Sequence, residues 1–167
     1  MRLLPDLEDP SHNVLREAWD RLVDVPGGKR VFSVLVGRLA PYTGSIKARV
    51  ETLQVGFARV VMPDRAPLRN HLNSVHAIAL ANLAEMAGNL ALGYSLPTDA
   101  RFIVSGMKLD YVKKARGPIT GLGTCPEIPS SARKEYEVSV SLRDGKGDEV
   151  ARAVLYTLVG PKRGVQG

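Results

Sequence analysis

The spacing of apolar residues predicts two helices near the start of the chain. Apolar side chains recur every three or four positions over residues 15–23, after a potential N-cap at Ser11 and before a Pro-Gly-Gly sequence. A second apolar stretch, residues 30–39, ends shortly before the next proline and is also expected to be helical. We therefore predict a helical lead-in that occupies residues 1–45.

The apolar period changes to that of a strand after this lead-in. Apolar and charged residues alternate over residues 46–53, which places Ile46, Ala48, Val50 and Thr52 on one face. A reversal at residues 54–56 and an apolar run that ends at Met62 predict a hairpin partner. Residues 65–72 are expected to form a loop.

A long apolar helix is predicted from Asn73 or Ser74, both good N-caps, to about Gly93. Its only formally charged residue is Glu85, so the helix is expected to be buried on most sides. A membrane-spanning role is not predicted, because Asn82, Glu85 and Asn89 would lie together in hydrocarbon.

Four further strands are predicted at residues 101–113, 117–125, 135–143 and 149–159. Two strands, one helix and four strands indicate an α+β fold, in which an antiparallel sheet of about six strands wraps around one long central helix. We assign residues 46–160 to this domain and residues 161–167 to a flexible tail. Open sheet edges favour pairing with a second copy, so a homodimer is expected, with a dimer of dimers as a further option.

Composition narrows the choice of partners and compartment. The net charge is +6, but the 23 lysines and arginines are scattered among 17 acidic residues, so no nucleic-acid partner is predicted. The single Cys125 and a start without an apolar signal segment predict a cytoplasmic protein. Three histidines and one cysteine offer no metal-ligand spacing, so neither a metal nor a cofactor is expected.

The segment Asn-His-Leu-Asn-Ser-Val-His-Ala-Ile at residues 70–78, followed by Glu85, resembles a motif of the hot-dog-fold acyl-CoA thioesterases, in their PaaI-like, DUF4442-type subgroup. In that family an Asn or Gln lies six positions before a helix-opening His, and an acid lies nine positions after it. Asn70, His76 and Glu85 occupy these positions here. The resemblance, which covers about residues 46–160, implies a hot-dog fold and an acyl thioester substrate that includes coenzyme A.

The spacing of His76 and Glu85 has a consequence of its own. Nine residues of one helix separate them by about 14 Å of rise and place them on opposite faces. They can act on one substrate only across a two-fold interface, which is also what the resemblance implies. The backbone N–H of Ala77 is the candidate donor to the thioester carbonyl. Glu85 would either activate water as a general base or attack directly, and both routes remain open.

Two asparagines are expected to assist Glu85. Asn82 and Asn89 lie three and four residues from it, on the same face of the helix. In family members with Glu at this position, the polar residue one turn later places water, and Asn89 is its counterpart here. Asn70, by the same resemblance, would hold the loop or contact the reacting end of the substrate.

Other residues bear on specificity and on alternative functions. Ile78 stands where the family's motif has a glycine, and it shares the face of Glu85, so it is assigned to a reshaped substrate pocket. Lys113, Lys114 and Arg116 are candidates for contacts with the coenzyme A phosphates. The leading hypothesis is acyl-CoA hydrolysis. A non-hydrolytic acyl-CoA-binding protein and a hot-dog hydratase or dehydratase are the alternatives.

Overall fold

Helices and strands follow each other in the order that the apolar pattern predicts. The computed structural model describes residues 8–164. Within these residues the elements are α1 (Val14–Leu22), α2 (Gly28–Leu39), α3 (Pro41–Gly44), β1 (Arg49–Gln54), β2 (Phe57–Met62), a 3₁₀ turn (Ala66–Leu68), α4 (Ala77–Ser95), β3 (Ala100–Tyr111), β4 (Ile119–Thr124), β5 (Lys134–Arg143) and β6 (Glu149–Pro161).

The predicted sheet of about six strands around one long helix is confirmed. The strands form one antiparallel sheet in the order β1-β2-β4-β5-β6-β3, and α4 packs on its inner face. Helix and sheet approach closely at Gly123, where an added Cβ would lie 2.3 Å from the carbonyl oxygen of Ala87. Because glycine has no side chain, α4 can lie directly against the backbone of β4. This contact fixes the height of the helix above the sheet.

The helical lead-in packs against the domain and satisfies the end of α4. The side-chain amide of Asn13 donates to the carbonyl oxygens of Gly93 (2.9 Å) and Leu96 (3.1 Å), and Arg16 donates to those of Tyr94 and Leu96. The last carbonyl groups of a helix have no partner within the helix itself, so these bonds replace water. Helix α1 therefore belongs to the folded unit and helps to position α4.

The start of α1 differs from the predicted one. Asn13 is the N-cap, and its side-chain oxygen accepts the backbone N–H of Arg16. Ser11 instead donates to the side chain of Asp9 through both its backbone N–H and its hydroxyl. The prediction of Ser11 as the cap was therefore wrong, because a nearer acceptor engages it first.

The register of β1 also differs from simple alternation. The strand begins at Arg49, and its pairing with β2 shifts between Val50 and Thr52. The shift turns Leu53, rather than Thr52, into the core. A bulge of this kind inserts one residue into a strand and reverses the faces of the residues that follow.

The two ends of the described chain lie close together. Lys162 is buried, its backbone N–H donates to Asp99, and its ammonium group donates to the carbonyl oxygens of Asp9 and His12 at 2.7 Å each. The predicted flexible tail therefore cannot begin at residue 161, since Pro161 still belongs to β6. Residues 165–167 of that tail, and residues 1–7 of the lead-in, lie outside the described residues.

Strand β3 forms one edge of the sheet and carries apolar side chains that solvent can reach. Ile103 is 66% exposed, and Met107 and Tyr111 are also exposed. The other edge is β1. No helix among residues 8–164 combines the length and the apolar content that a membrane span requires.

Candidate active site

Glu85 lies near the middle of α4, on the side turned away from the sheet. Ala87, two residues along the helix, touches β4, and two residues of an α-helix point in nearly opposite directions. The side chain of Glu85 is partly buried. Its carboxylate has no hydrogen bond or ion pair with any residue in the described part of the chain. All its acceptor positions are therefore available.

Two asparagines flank this acid on the same face, at the three- and four-residue spacing that the sequence predicts. Asn82 is only 5% exposed, and its amide nitrogen donates to the carbonyl oxygen of Tyr42 at 3.1 Å. The side-chain oxygens of Asn82 and Asn89 are both buried and accept no hydrogen bond from the described residues. A buried acceptor without a hydrogen bond lowers the stability of the fold by about 1–3 kcal/mol. Two such acceptors on the same face as an unpaired carboxylate are therefore not explained by folding, and they make this face a candidate site.

His76 is the N-cap of α4. Its ring Nδ1 accepts the backbone N–H of Ile78 at 3.1 Å, which requires the ring proton to reside on Nε2 in the neutral form. The backbone N–H of Ala77 donates to no acceptor among residues 8–164. This N–H is therefore a free donor at the positive end of the helix dipole, as an oxyanion-binding group must be.

The loop before α4 explains why the helix starts at Ala77 and not near Asn73 or Ser74, as predicted. The side-chain oxygen of Asn70 accepts the backbone N–H of Leu72 (3.0 Å) and of Ser74 (3.2 Å) and the hydroxyl of Ser74 (3.1 Å). Ser74 is thus engaged, and Asn73 takes a left-handed conformation with φ 52°. The side-chain oxygen of Asn70 holds the loop through these three hydrogen bonds.

Tyr111, at the end of β3, is a neighbour that the sequence did not predict. Its hydroxyl donates to the carbonyl oxygen of Ala77 at 3.1 Å, so β3 is tied to the first turn of α4. Desolvation raises the pKa of Tyr111 above its ordinary value, and the hydroxyl therefore remains a donor at neutral pH. No local pattern links a strand-end tyrosine to a helix start 34 residues earlier, so only the fold brings them together.

Within one chain, the structure does not bring His76 and Glu85 together. The helix between them is regular, so they remain about 14 Å apart along its axis and on opposite faces. Ile78, which shares the face of Glu85, is 53% exposed. It therefore closes no pocket within its own chain.

A cavity of about 380 Å³ lies beside this face, between the lead-in and the second half of α4. Asn89 and Met86 line it, whereas Glu85 does not. The rest of its wall is mostly apolar and includes Leu15, Val36, Leu39, Leu90 and Phe102. Its size falls in the range of about 300–1,000 Å³ that small-molecule sites occupy. An apolar chain that entered it would pass Asn89, one helical turn from the acid.

The three cations predicted to contact phosphates differ in their surroundings. The ammonium group of Lys113 lies 2.9 Å from Asp144 and 2.6 Å from Asp148, and these carboxylates raise the pKa of Lys113 while they offset its charge. Lys114 and Arg116 are exposed and have no partner in the described part of the chain. Among residues 8–164, no group of three His, Cys, Asp or Glu side chains is arranged to hold a metal ion.

Comparisons with known proteins agree with this architecture. Residues 28–159 match the family "Domain of unknown function (DUF4442)". The crystal structure of the genomics protein APC5556 is 31% identical over 88% of this chain and 98% of that one, with a TM-score of 0.76. PA5026 from Pseudomonas aeruginosa, a protein of unknown function and "Probable Thioesterase", is 24% identical over 76% and 91%, with a TM-score of 0.67.

The PaaI protein from the phenylacetic acid degradation operon of E. coli is 15% identical over 80% of this chain and 99% of its own, with a TM-score of 0.63. At such identities the likeness concerns the fold, which is the hot-dog fold of thioesterase-family proteins. No curated protein matches the sequence significantly.

Proposed function

Since this chain belongs to the DUF4442 family and has the hot-dog fold of thioesterase-family proteins, we propose that it hydrolyses acyl-CoA or a related acyl thioester. Glu85 assists the attack of water, and the start of α4 polarises the thioester carbonyl. One observation carries the proposal: a partly buried carboxylate without a partner among the described residues lies on the same helix as a free N–H at its first turn.

The chemistry follows from what these groups can exchange. In the general-base route, Glu85 accepts a proton from water as the water oxygen forms a bond to the thioester carbon. The carbonyl oxygen becomes an oxyanion, which the N–H of Ala77 stabilises. Collapse of this intermediate breaks the C–S bond and releases the thiol, which takes up the proton, and the carboxylic acid. In the nucleophilic route, Glu85 attacks the thioester carbon, and the C–S bond breaks to release the thiolate and leave a mixed anhydride. Water then hydrolyses the anhydride to give the carboxylic acid and free Glu85, and its proton neutralises the thiolate.

The asparagines have complementary roles in this proposal. The buried side-chain oxygen of Asn89 needs a donor, and a water molecule beside Glu85 would supply one. Asn82 is held by Tyr42 through its amide nitrogen, so it fixes the lead-in against the same face. Asn70 acts through the loop geometry, because its side-chain oxygen is occupied by three local donors.

The site requires a second copy of the chain, because the acid and the helix start of one protomer lie too far apart. Strand β3 is the edge on which we expect the copies to pair, since its exposed apolar side chains, among them Ile103 and Met107, would then be covered. Light scattering after gel filtration is expected to give a dimer or a dimer of dimers. A monomer at micromolar concentration would contradict a shared site.

The decisive experiment is a thiol-release assay with acyl-CoA substrates of different chain lengths. Glu85→Gln keeps the size of the side chain and removes its basicity, so kcat is expected to fall by about 10²–10⁴-fold. Glu137→Gln, on an exposed position of β5, is the matched control and should leave kcat unchanged. Full turnover in Glu85→Gln would rule out the carboxylate as the acting group.

Two other outcomes would redirect the assignment. Saturable acyl-CoA binding without turnover, with the same affinity in Glu85→Gln, would favour the non-hydrolytic binding protein that Ile78 suggests. Loss of the enoyl-CoA absorbance without thiol release would favour a hydratase.

A further inference from the structure

A second and larger hollow lies on the other side of the lead-in. It is a groove of about 1,010 Å³ between α2, α3 and the ends of β1 and β2. Its wall carries four basic side chains and, among the described lining residues, no carboxylate. The four are Arg30, Arg38, Lys47 and Arg49, and we call this hollow the basic groove.

Most of this positive charge has no internal partner. Arg49 pairs with Glu51, but Arg30, Arg38 and Lys47 form no hydrogen bond or ion pair with residues 8–164 through their charged groups. Lys113, in contrast, is neutralised by two aspartates. Cations that converge on one concave surface without acids focus a positive potential there, which attracts an anionic ligand.

The walls of the basic groove are held in place by backbone contacts. Helix α3 crosses α2 glycine against glycine, and an added Cβ on Gly44 would lie 2.5 Å from the carbonyl oxygen of Gly37. Ser33 links α2 to the sheet, since its hydroxyl donates to Lys29 and accepts the backbone N–H of Val50 at 2.9 Å. Lys47 adopts a left-handed backbone conformation with φ 52°, which is uncommon outside glycine and asparagine. The cations are thus presented from a rigid frame.

The basic groove and the apolar cavity beside α4 share part of one wall. Thr43 and Met86 line both the groove and the apolar cavity beside α4. Met86 directly follows Glu85, and Asn89 lines the cavity. A ligand with a charged end in the groove and an apolar end in the cavity would therefore lie across the two residues that the hollows share.

We propose that the basic groove binds the phosphate-bearing nucleotide end of coenzyme A. This inference rests on the proposed function for the presence of an acyl-CoA substrate, and it adds a phosphate site distinct from Lys114 and Arg116. Coenzyme A carries a pyrophosphate and a 3′-phosphate, which together match several cations. The phosphopantetheine arm of a carrier protein carries a single phosphodiester, so the number of unpaired cations favours coenzyme A. Guanidinium groups suit phosphate because they donate two parallel hydrogen bonds.

Calorimetric titration with coenzyme A tests the groove without any need for turnover. The double variant Arg30→Ala/Arg38→Ala is expected to weaken binding by about tenfold or more, since each charge-assisted hydrogen bond to phosphate is among the stronger ones. Arg133→Ala/Lys146→Ala removes the same charge from exposed positions outside the groove and should change the affinity less than about twofold. Equal weakening by both variants would reduce the effect to net charge and overturn the proposal, as would unchanged binding in the groove variant.

A kinetic comparison separates the groove from the chemistry. With an acyl-CoA as substrate, the groove variant should show a KM about tenfold higher than the wild-type protein and the same kcat. The N-acetylcysteamine thioester of the same acid lacks the nucleotide, so the variant and the wild-type protein should hydrolyse it equally well. An equal loss with both substrates would overturn the phosphate assignment. If neither substrate is hydrolysed, the proposed function fails, while the titration still decides the groove. Thermal melting checks that the variants fold, and the single change Lys47→Gln gives an independent variant.

Discussion

The close approach of α4 to the sheet at Gly123 makes a sharp prediction about the substitution Gly123→Ala. The new methyl carbon would lie 2.3 Å from the carbonyl oxygen of Ala87, 2.7 Å from its carbonyl carbon and 3.1 Å from the backbone nitrogen of Gly88. These three atoms belong to the backbone of the central helix, so no side-chain rotation can relieve the contact. Either α4 or β4 must move.

The required movement sets the size of the effect. Non-bonded heavy atoms prefer a separation of about 3.5 Å or more, so α4 would have to retreat by about 1 Å. A gap of that size forfeits roughly a quarter to a half of the attraction across the interface. Overpacked cores lose about 1–3 kcal/mol, and we expect a loss near 3 kcal/mol here because the obstacle is backbone on both sides. For a domain of this length, the midpoint of thermal unfolding should fall by about 6–12 °C.

Urea unfolding followed by circular dichroism measures this loss, and Gly160→Ala is the matched control. Gly160 lies in β6 of the same sheet, and an added Cβ there meets nothing within 4 Å. That variant should unfold within about 1 kcal/mol of the wild-type protein, because alanine mainly restricts the unfolded chain. If Gly123→Ala unfolds at the same urea concentration as Gly160→Ala, the argument that the helix rests on the glycine backbone is refuted.

Three further predictions concern groups away from the helix contact. The hydroxyl of Thr157 is fully buried and neither accepts nor donates a hydrogen bond among the described residues. Thr157→Val should therefore stabilise the protein by about 1 kcal/mol, and a lower melting temperature would contradict this. The hydrogen bond from Lys113 lowers the pKa of Asp144 below its ordinary value. The pair therefore stabilises the folded protein above pH ~4, and this stabilisation is lost as the pH falls through the lowered pKa. Lys113→Met should therefore lower the melting temperature at pH 7, and the difference should disappear in strong acid; a pH-independent difference would exclude the ion pair as its cause. Partial burial raises the pKa of the Cys125 thiol, so at pH 8 iodoacetamide should react with Cys125 of the native protein more slowly than with the thiol of glutathione. In urea the two thiols should react equally fast, and rapid alkylation of the native protein would contradict this prediction.

Elements with a strong local pattern could be predicted from the sequence. The strands at residues 135–143 and 149–159 and the turn between them agree with the observed β5 and β6 to within two residues. The central helix was recognisable because Glu85 is its only charged residue. The shared face of Asn82, Glu85 and Asn89 follows from helical spacing alone, so this part of the candidate site needed no tertiary information.

The boundaries and long-range contacts could not be predicted, because they depend on which polar groups meet. The helix was expected to begin at Asn73 or Ser74, but the side chain of Asn70 accepts three hydrogen bonds in that segment and delays the start to Ala77. The neutralisation of Lys113 depends on how the β5–β6 turn packs against the end of β3. These ion pairs of Lys113 join residues more than thirty positions apart, which no local pattern reveals.

The bonds from Asn13 and Arg16 to the last turn of α4 have a consequence for how far the chain can be shortened. A fragment that began at residue 28, where the family match begins, would keep every strand and the proposed catalytic acid, yet leave the terminal carbonyl groups of the central helix to solvent. Unwinding would then start from the end nearest Asn89 and travel toward Glu85. We therefore expect the unit that folds on its own to be longer than the region that the family match covers, because α1 binds the last turn of the helix that carries the proposed catalytic acid.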